Sequence, residues 1–301
     1  MVDFEMERPE IIPLRDLDQA NVWYEVNGRT NATSRIGTTG DLRLSKHPIS
    51  SEAYNTKFQQ VYDHLSYGDS YLTNLTIKTE VSMPFTLREL FQVSRARYKL
   101  LYQDAFLVFS PEIFVQVADG VIRSYPMKGT IDASVERAAE IIMNDEKELA
   151  EHVTIVDLIR NDLSAVAHDV VVERFRYLEK ITTIDRELLQ VSSGIRGTVS
   201  DQYTDRLGDL LVALLPAGSV SGAPKKKTME IIALSEGEPR GYYSGVFGIF
   251  DGQALDSGVM IRFIEHDAGH YYYRSGGGIT ARSDRNKEYQ EAIDKIYVPV
   301  S

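Results

Sequence analysis

At 301 residues with a net charge of -11, ordinary apolar and charged fractions and no cysteine, the chain is long enough to bury a sizeable core, as one large domain or two. The missing cysteine excludes disulfides and every thiol mechanism and fits a cytoplasmic protein. The acidic balance argues against a general nucleic-acid binder, though it leaves room for a local basic pocket.

No apolar run approaches the ~20 residues that a membrane span needs. Met1-Val2-Asp3-Phe4-Glu5 has no basic start ahead of an apolar core, so no secretory signal is expected. Leu14 to Val26 reads as helix-prone and Gly28 to Gly40 as a polar loop. Asn31-Ala32-Thr33 fits a glycosylation sequon, which is idle without secretion. Phe58, Val61, Tyr62 and Leu65 recur at helical spacing within Ser51 to Leu65, and Gly68-Asp69-Ser70 ends that helix before a strand over Tyr71 to Ile77. Leu87 to Leu100 is expected to be helical. Ala105 to Phe109 and Ile113 to Val117 read as paired strands around Ser110-Pro111-Glu112. No internal repeat or low-complexity linker forces a domain boundary.

Phe114 to Ile122 reads as a strand that leads into Pro126-Met127-Lys128-Gly129-Thr130. Pro126 fixes its own φ and Gly129 tolerates unusual backbone, so Lys128 is expected on a rigid turn with a defined direction. Taken alone, such a lysine reads as a solvated surface residue.

Ala133 to Leu163 is the longest helical pattern and carries Glu148 and Glu151 three residues apart, hence on one face. Glu288 and Glu291 repeat that spacing in a short helix that opens at Asn286 and ends near Ile296. Four carboxylates on two such faces suit one hard cation such as Mg²⁺; taken alone, each pair reads first as a solvated acidic face, since Glu is a common helix former. Zinc is a poorer candidate, because His266 and His270 flank a hairpin turn and read as exposed turn residues.

Pro216 to Lys225 is a Gly/Ser-rich run entering a helix over Lys226 to Leu234. Such a run offers N–H groups and hydroxyls to an anion without having Walker spacing. Gly245 to Phe250 and Leu255 to Ile264 read as a hairpin with its turn at Asp251-Gly252. Arg262 falls inside that apolar strand and calls for an anionic partner. Gly276-Gly277-Gly278 after the strand Tyr271 to Arg274 allows close backbone approach by a ligand.

Together these runs resemble the chorismate-utilising enzymes, and within them the aminodeoxychorismate synthase component I branch. The runs are Gly68 to Leu75, Ser110-Pro111-Glu112, Pro126 to Thr130, Glu148 to His152 through Asp157 to Leu163, Gly218 to Lys225, Ile261-Arg262, and Gly276 to Ile279 with Tyr289-Gln290-Glu291. They follow the family order from about Ser51 onward. Lys128 separates the branches, since anthranilate synthases usually carry alanine there.

The resemblance implies a single large α+β domain over 1–301, with an antiparallel β-sandwich core, helices packed outside, and a shortened, weakly matched part over 1–50. It implies Mg²⁺ held directly by Glu151 and Glu291, with Glu148 and Glu288 supporting through water. Arg262, Tyr243 and Lys225, with Ser221, Gly222, Ala223, Gly276, Gly277 and Gly278, would hold chorismate. Lys128 would be the nucleophile and Glu112 the general acid, with ammonia coming from a separate glutaminase subunit. A free lysine is almost wholly protonated at neutral pH, so desolvation or nearby positive charge would have to free the amine.

Three features depart from the family pattern. Ile113 follows Ser110-Pro111-Glu112 where arginine is usual. Leu189-Gln190-Val191-Ser192 lacks the usual histidine. The N-terminal part is short. The competing readings are an anthranilate synthase component I, an isochorismate or salicylate synthase, and a non-catalytic chorismate-binding subunit.

Overall fold

The structure is a computed structural model and describes residues 1–32, 43–182 and 187–299. Most of the loop expected over Gly28 to Gly40 lies outside them, as does Thr33 of the sequon match; Arg29–Thr30 within it is a short strand. Contacts divide the chain into two compact units. The first is Met1–Pro111, Pro216–Phe247 and Val259–Pro299; the second is Glu112–Leu215 with Gly248–Gly258. Both are antiparallel sheet with helices packed on it, which gives the expected α+β class.

The first unit holds a nine-stranded sheet among the described residues. Leu72–Ser82 and His270–Ile279 form its long central pair, from Tyr271 opposite Val81 to Ile279 opposite Thr73. The helices Ser51–Tyr67, Lys225–Glu236 and Arg285–Asp294 pack there. Tyr54, Phe58, Val61 and Leu65 meet Leu75, Ile77, Ile231, Ile279 and Ala292 in one buried cluster. The first of these helices forms as its spacing predicts. The Ser50 hydroxyl accepts the Ala53 N–H at its start, and Gly68 ends it in the left-handed conformation.

Beneath this cluster runs a buried ionic network. The guanidinium of Arg240, 2 % exposed, donates to both carboxylate oxygens of Glu236 at 2.9 and 2.6 Å. It also reaches the carbonyls of Val220 and Asn74, both at 2.8 Å. Glu236 completes its shell with the N–H and hydroxyl of Thr76.

Several expected elements differ. Leu14 to Val26 is a single 3-10 turn, Leu14–Asp16, followed by the strand Val22–Val26. Its Val/Trp/Tyr content suits the pairing it makes with Tyr98–Tyr102. The helix begun at Leu87, with a Thr86/Glu89 capping box, stops at Val93, because Tyr98–Tyr102 is claimed by strands on both sides. The glycines Gly276 to Gly278 belong to the strand His270–Ile279 and do not form a separate loop.

In the second unit Ile113–Ala118 pairs with Val121–Ser124 and with Leu255–Val259. The run read as one strand to Ile122 is thus a hairpin turning at Asp119-Gly120. Phe106–Ser110 and Ile113–Ala118 do not pair: the first lies in the nine-stranded sheet and the second in the seven-stranded one. Alternation identifies strands but not their partners, and Pro111 carries the chain from one sheet to the other. Leu255 to Ile264 is likewise two strands, Leu255–Val259 and Phe263–Asp267, parted around Arg262. Ala133 to Leu163 divides into helices Ala138–Asn144 and Glu146–Ser164; Asp145 is extended and its side chain accepts the Glu148 N–H. No helix among the described residues is long and apolar enough to cross a membrane.

Candidate active site

Lys128 does not sit on a turn. It lies in the strand Met127–Asp132, which pairs with Glu187–Val199. Thr130 faces Gln190 and Met127 faces Ser192, so Lys128 and Gly129 together oppose the single residue Val191. This is a β-bulge, which re-aims a side chain by breaking the ladder. Gly129 adopts φ +84°, a conformation that a side chain would strain, and a Cβ on it would lie 2.8 Å from a Glu148 carboxylate oxygen. From this bulge Lys128 Nζ reaches Glu151 Oε2 at 3.1 Å, with the lysine side chain 43 % exposed. Lys147 Nζ stands 3.6 Å from the other oxygen of Glu151.

Glu148 and Glu151 share one face of the helix Glu146–Ser164, as their spacing predicts. Partial burial, and then the charge of Glu151, push the Glu148 carboxyl above the usual carboxylate range, against the opposing pull of Lys128 and Lys147. On the inward stripe His152, Val156 and Leu163 are buried. His152 Nε2 lies 2.7 Å from the Ser193 hydroxyl. Burial and then Arg176 lower the His152 pKa, which favours the neutral ring. Leu189, which stands where the family histidine is missing, lies opposite Ile131 in the same sheet.

In the first unit the second carboxylate pair also shares one helix face. A Cβ on Gly277 would lie 3.6 Å from Glu288 Oε2 and 3.6 Å from Glu291 Oε1. The glycine strand therefore brings its bare backbone against both acids. Lys295 Nζ bridges Glu291 Oε1 at 2.6 Å and the Gly276 carbonyl at 2.9 Å. The neighbouring Gly276 packs against the carbonyl of Leu75 in the next strand. Gly278 packs against the Leu72 side chain.

Arg262 is half-buried between strands with φ +54°. No internal acid among the described residues pairs with it. Its guanidinium lies over the Tyr297 ring at 5.1 Å and reaches the Tyr297 hydroxyl at 3.4 Å. Tyr243 is a buried neighbour of Arg262, its ring edge-on to Phe263 at 5.9 Å, and burial raises its pKa. Lys225 opens the helix Lys225–Glu236. The run before it is ordered: Gly218–Ser221 is a helical turn in which the buried Ser221 hydroxyl donates to Ala217 O at 2.8 Å. Gly222 and Ala223 pair with Thr73 and Leu72. A Cβ on Gly222 would stand 1.9 Å from the Leu72 carbonyl, so only glycine fits that pairing. Glu112 is half-buried just ahead of Ile113–Ala118. His266 and His270 are exposed beside their hairpin turn, as expected.

No group of three or more His, Cys, Asp or Glu among the described residues is gathered tightly enough to hold a metal. Each carboxylate pair taken by itself offers oxygen donors of the kind Mg²⁺ takes, and Gly129 and Gly277 leave beside each pair the space that a side chain would fill. Three residues of these clusters have no counterpart in the sequence expectations: Lys295, Ser193 and His152 as a site residue. The four-residue step from Glu291 to Lys295 and the polar His152 on an inward helical stripe were the available signals.

The described clusters lie within a match to the chorismate binding enzyme family model, which covers residues 14–301. The chain belongs to that family. Over 301 residues it is 48 % identical to an uncharacterized PabA-like protein of Pasteurella multocida, covering 100 % of this chain and 93 % of the relative. It is 35 % identical over 315 residues to aminodeoxychorismate synthase component 1 of Klebsiella aerogenes, covering 98 % of this chain and 67 % of the relative. The crystal structure of anthranilate synthase component I from Streptococcus pneumoniae superposes with TM-score 0.73 at 26 % identity, over 89 % of this chain and 60 % of that one. As a chorismate binding enzyme, the chain has a dianionic ligand to hold, which calls for cationic partners.

Proposed function

We propose that this chorismate binding enzyme is a cytoplasmic aminodeoxychorismate synthase component I, converting chorismate and ammonia to 4-amino-4-deoxychorismate on the route to 4-aminobenzoate and folate. The observation that carries the reading is Lys128, raised on a glycine bulge beside Glu151 at 3.1 Å; a cation held by Glu151 would release the amine from that ion pair. The relatives that bear the aminodeoxychorismate synthase name support the branch.

In this reading the free amine of Lys128 attacks ring C2. As the C2–N bond forms, the two ring double bonds shift to C1=C6 and C4=C5 and the C4–O bond breaks, and the hydroxyl takes a proton from Glu112 to leave as water. Ammonia then attacks C4, both double bonds shift back, the C2–N bond breaks to return the lysine, and the new ammonium gives its extra proton to the Glu112 carboxylate. The net change is chorismate plus ammonia to product plus water, with the enolpyruvyl arm retained. Arg262, Tyr243 and Lys225 hold the carboxylates and the arm, helped by the Ser221 to Ala223 and Gly276 to Gly278 backbones. Mg²⁺, with ligands drawn from Glu151 and Glu291 and, through water, Glu148 and Glu288, would supply positive charge for a substrate carboxylate. With no cysteine in the chain, glutamine serves only through a separate glutaminase subunit.

The test is chromatography of the product formed from chorismate, Mg²⁺ and an ammonium salt, followed by addition of a lyase that yields 4-aminobenzoate. Anthranilate fluorescence with stoichiometric pyruvate would replace this reading with the anthranilate one. A hydroxylated product formed without ammonia would indicate an isochorismate-type synthase, and binding without turnover a non-catalytic subunit. Glutamine-dependent turnover by the pure chain would count against the partner.

A further inference from the structure

Two bulges flank the strand Glu187–Val199, two residues apart along it. Lys128 and Gly129 oppose Val191. On the other side Arg174 faces Gly194 and Tyr177 faces Ser192, so Phe175 and Arg176 oppose Ser193. A bulge leaves a residue outside the ladder, and some other group has to fix its backbone.

Ser193 fixes the second bulge. Its hydroxyl accepts the Arg176 N–H at 2.9 Å, while its own N–H donates to Pro126 O at 2.9 Å. The Arg176 guanidinium then holds the carbonyls of Ile142 and Met143 at 3.0 and 2.9 Å. Ile142 closes on Gly129, 3.6 Å from where a Cβ would stand.

The Ser193 hydroxyl also anchors His152 at 2.7 Å, a side chain with 0 % exposure whose ring stands edge-on to Phe175 at 5.8 Å. The other nitrogen, Nδ1, is buried with no partner at hydrogen-bond geometry among the described residues. A buried ring nitrogen left short of a partner weakens the fold. An apolar side chain would fill the same space without that cost.

Resting on the reading of Lys128 as nucleophile, we propose that His152 is the positioning residue for that lysine: its Nε2 fixes the Ser193 hydroxyl, and Ser193, whose N–H holds the Pro126 carbonyl two residues before Lys128, sets the bulge from which Nζ is aimed. His152 does not touch substrate in this role. It acts only through Ser193 and the strand Met127–Asp132.

His152→Leu keeps the site apolar and filled but removes both nitrogens. A lysine displaced by even an ångström loses rate on the order of 10²-fold, so kcat is expected to fall by about that factor while KM stays near the wild-type value. Hydrogen exchange, read by mass spectrometry on the peptide spanning 126–132, is expected to rise about tenfold there and little elsewhere. His152→Gln, whose amide nitrogen takes up the Nε2 position toward the Ser193 hydroxyl, is expected to recover part of both.

Unchanged kcat and unchanged exchange in His152→Leu overturn the proposal. Exchange that rises evenly across the second unit also overturns it, since that marks a residue that only packs. Where His152→Leu does not fold, Ser193→Ala removes one hydroxyl and must show the same local rise; its absence overturns the proposal. If chorismate leaves no added mass on Lys128 in the wild-type protein, the reading of the reaction fails, and the exchange comparison alone still decides whether His152 sets the bulge.

Discussion

Lys128 Nζ lies 3.1 Å from Glu151 Oε2, joining a strand bulge to a helix whose next residue, His152, is buried behind it. The pair it makes with the half-exposed Glu151 carboxylate contributes little to folding, because exposed ion pairs are worth at most about 1 kcal/mol. Lys128→Ala is therefore expected to melt close to the wild type. As the nucleophile it acts only along the reaction path, so its loss lowers kcat on the order of 10²-fold or more and leaves chorismate binding largely in place. Incubation of the wild-type protein with chorismate and Mg²⁺ but no ammonia, then trapping and digestion, should put the added mass on the peptide containing Lys128. An adduct on Lys225, or full activity in Lys128→Ala, would move the nucleophile elsewhere.

Glu148 gives a prediction with a definite sign. Its carboxyl is pushed above the usual range, first by burial and then by Glu151. A carboxyl with a higher pKa folded than unfolded binds more protons in the native state, so it weakens the fold as pH rises past the ordinary carboxylate range. Glu148→Gln removes that charge. The variant is expected to melt above the wild type at about pH 7.5, with the gap closing below about pH 4, where the wild-type carboxyl is protonated in both states. Thermal melts across that range are the check, and a gap that widens on acidification would reverse the sign.

The parts of this site that local pattern specifies were legible in the sequence. Phe58, Val61 and Leu65, with Gly68 after them, mark a helix because every signal lies within one segment. The three-residue step from Glu148 to Glu151 placed both acids on one face for the same reason. The setting of Lys128 was not legible. Pro126 and Gly129 suggested a turn, whereas the bulge follows from the register against Glu187–Val199, which is set some sixty residues away. Phe106–Ser110 and Ile113–Ala118 were recognisable as strands, but their partners depend on sheet order and not on their own alternation. Arg262 read as a strand residue because its neighbours are apolar; its positive φ follows from how Val259 and Phe263 join different strands.

Arg240 and Glu236 test the frame that holds the Gly218–Ser221 turn. Arg240 holds the carbonyl of Val220, within the Gly218–Ser221 turn, and that of Asn74 in the strand Leu72–Ser82. Arg240→Ala would strand the Glu236 carboxylate, 6 % exposed, without its cation. Breaking one side of a buried pair costs roughly 3–5 kcal/mol, so the urea midpoint should fall accordingly. A midpoint within error of the wild type would mean that water or another cation reaches Glu236 once the arginine is gone.

Glu291 separates a metal ligand from a structural acid. Its side chain is 51 % exposed and pairs with Lys295 four residues on, facing the bare backbone at Gly277. Such a pair adds only a few tenths of a kcal/mol to a helix, by the usual estimate of about 0.3–0.5, so Glu291→Gln should melt within a few degrees of the wild type. Mg²⁺ binds a neutral amide much more weakly than a carboxylate. The variant is therefore expected to lose turnover at low Mg²⁺ and to recover part of it only as Mg²⁺ is raised. Gly277→Ala gives an independent check on the same helix. Its Cβ would stand 3.4 Å from Lys295 Nζ and 3.6 Å from both acids, close enough to crowd them without changing any charge. Titration of turnover against Mg²⁺ in both variants decides the matter. A rightward shift in each supports Glu291 as a ligand, whereas an unshifted Mg²⁺ dependence in Glu291→Gln removes it from the metal site and leaves it as the partner of Lys295.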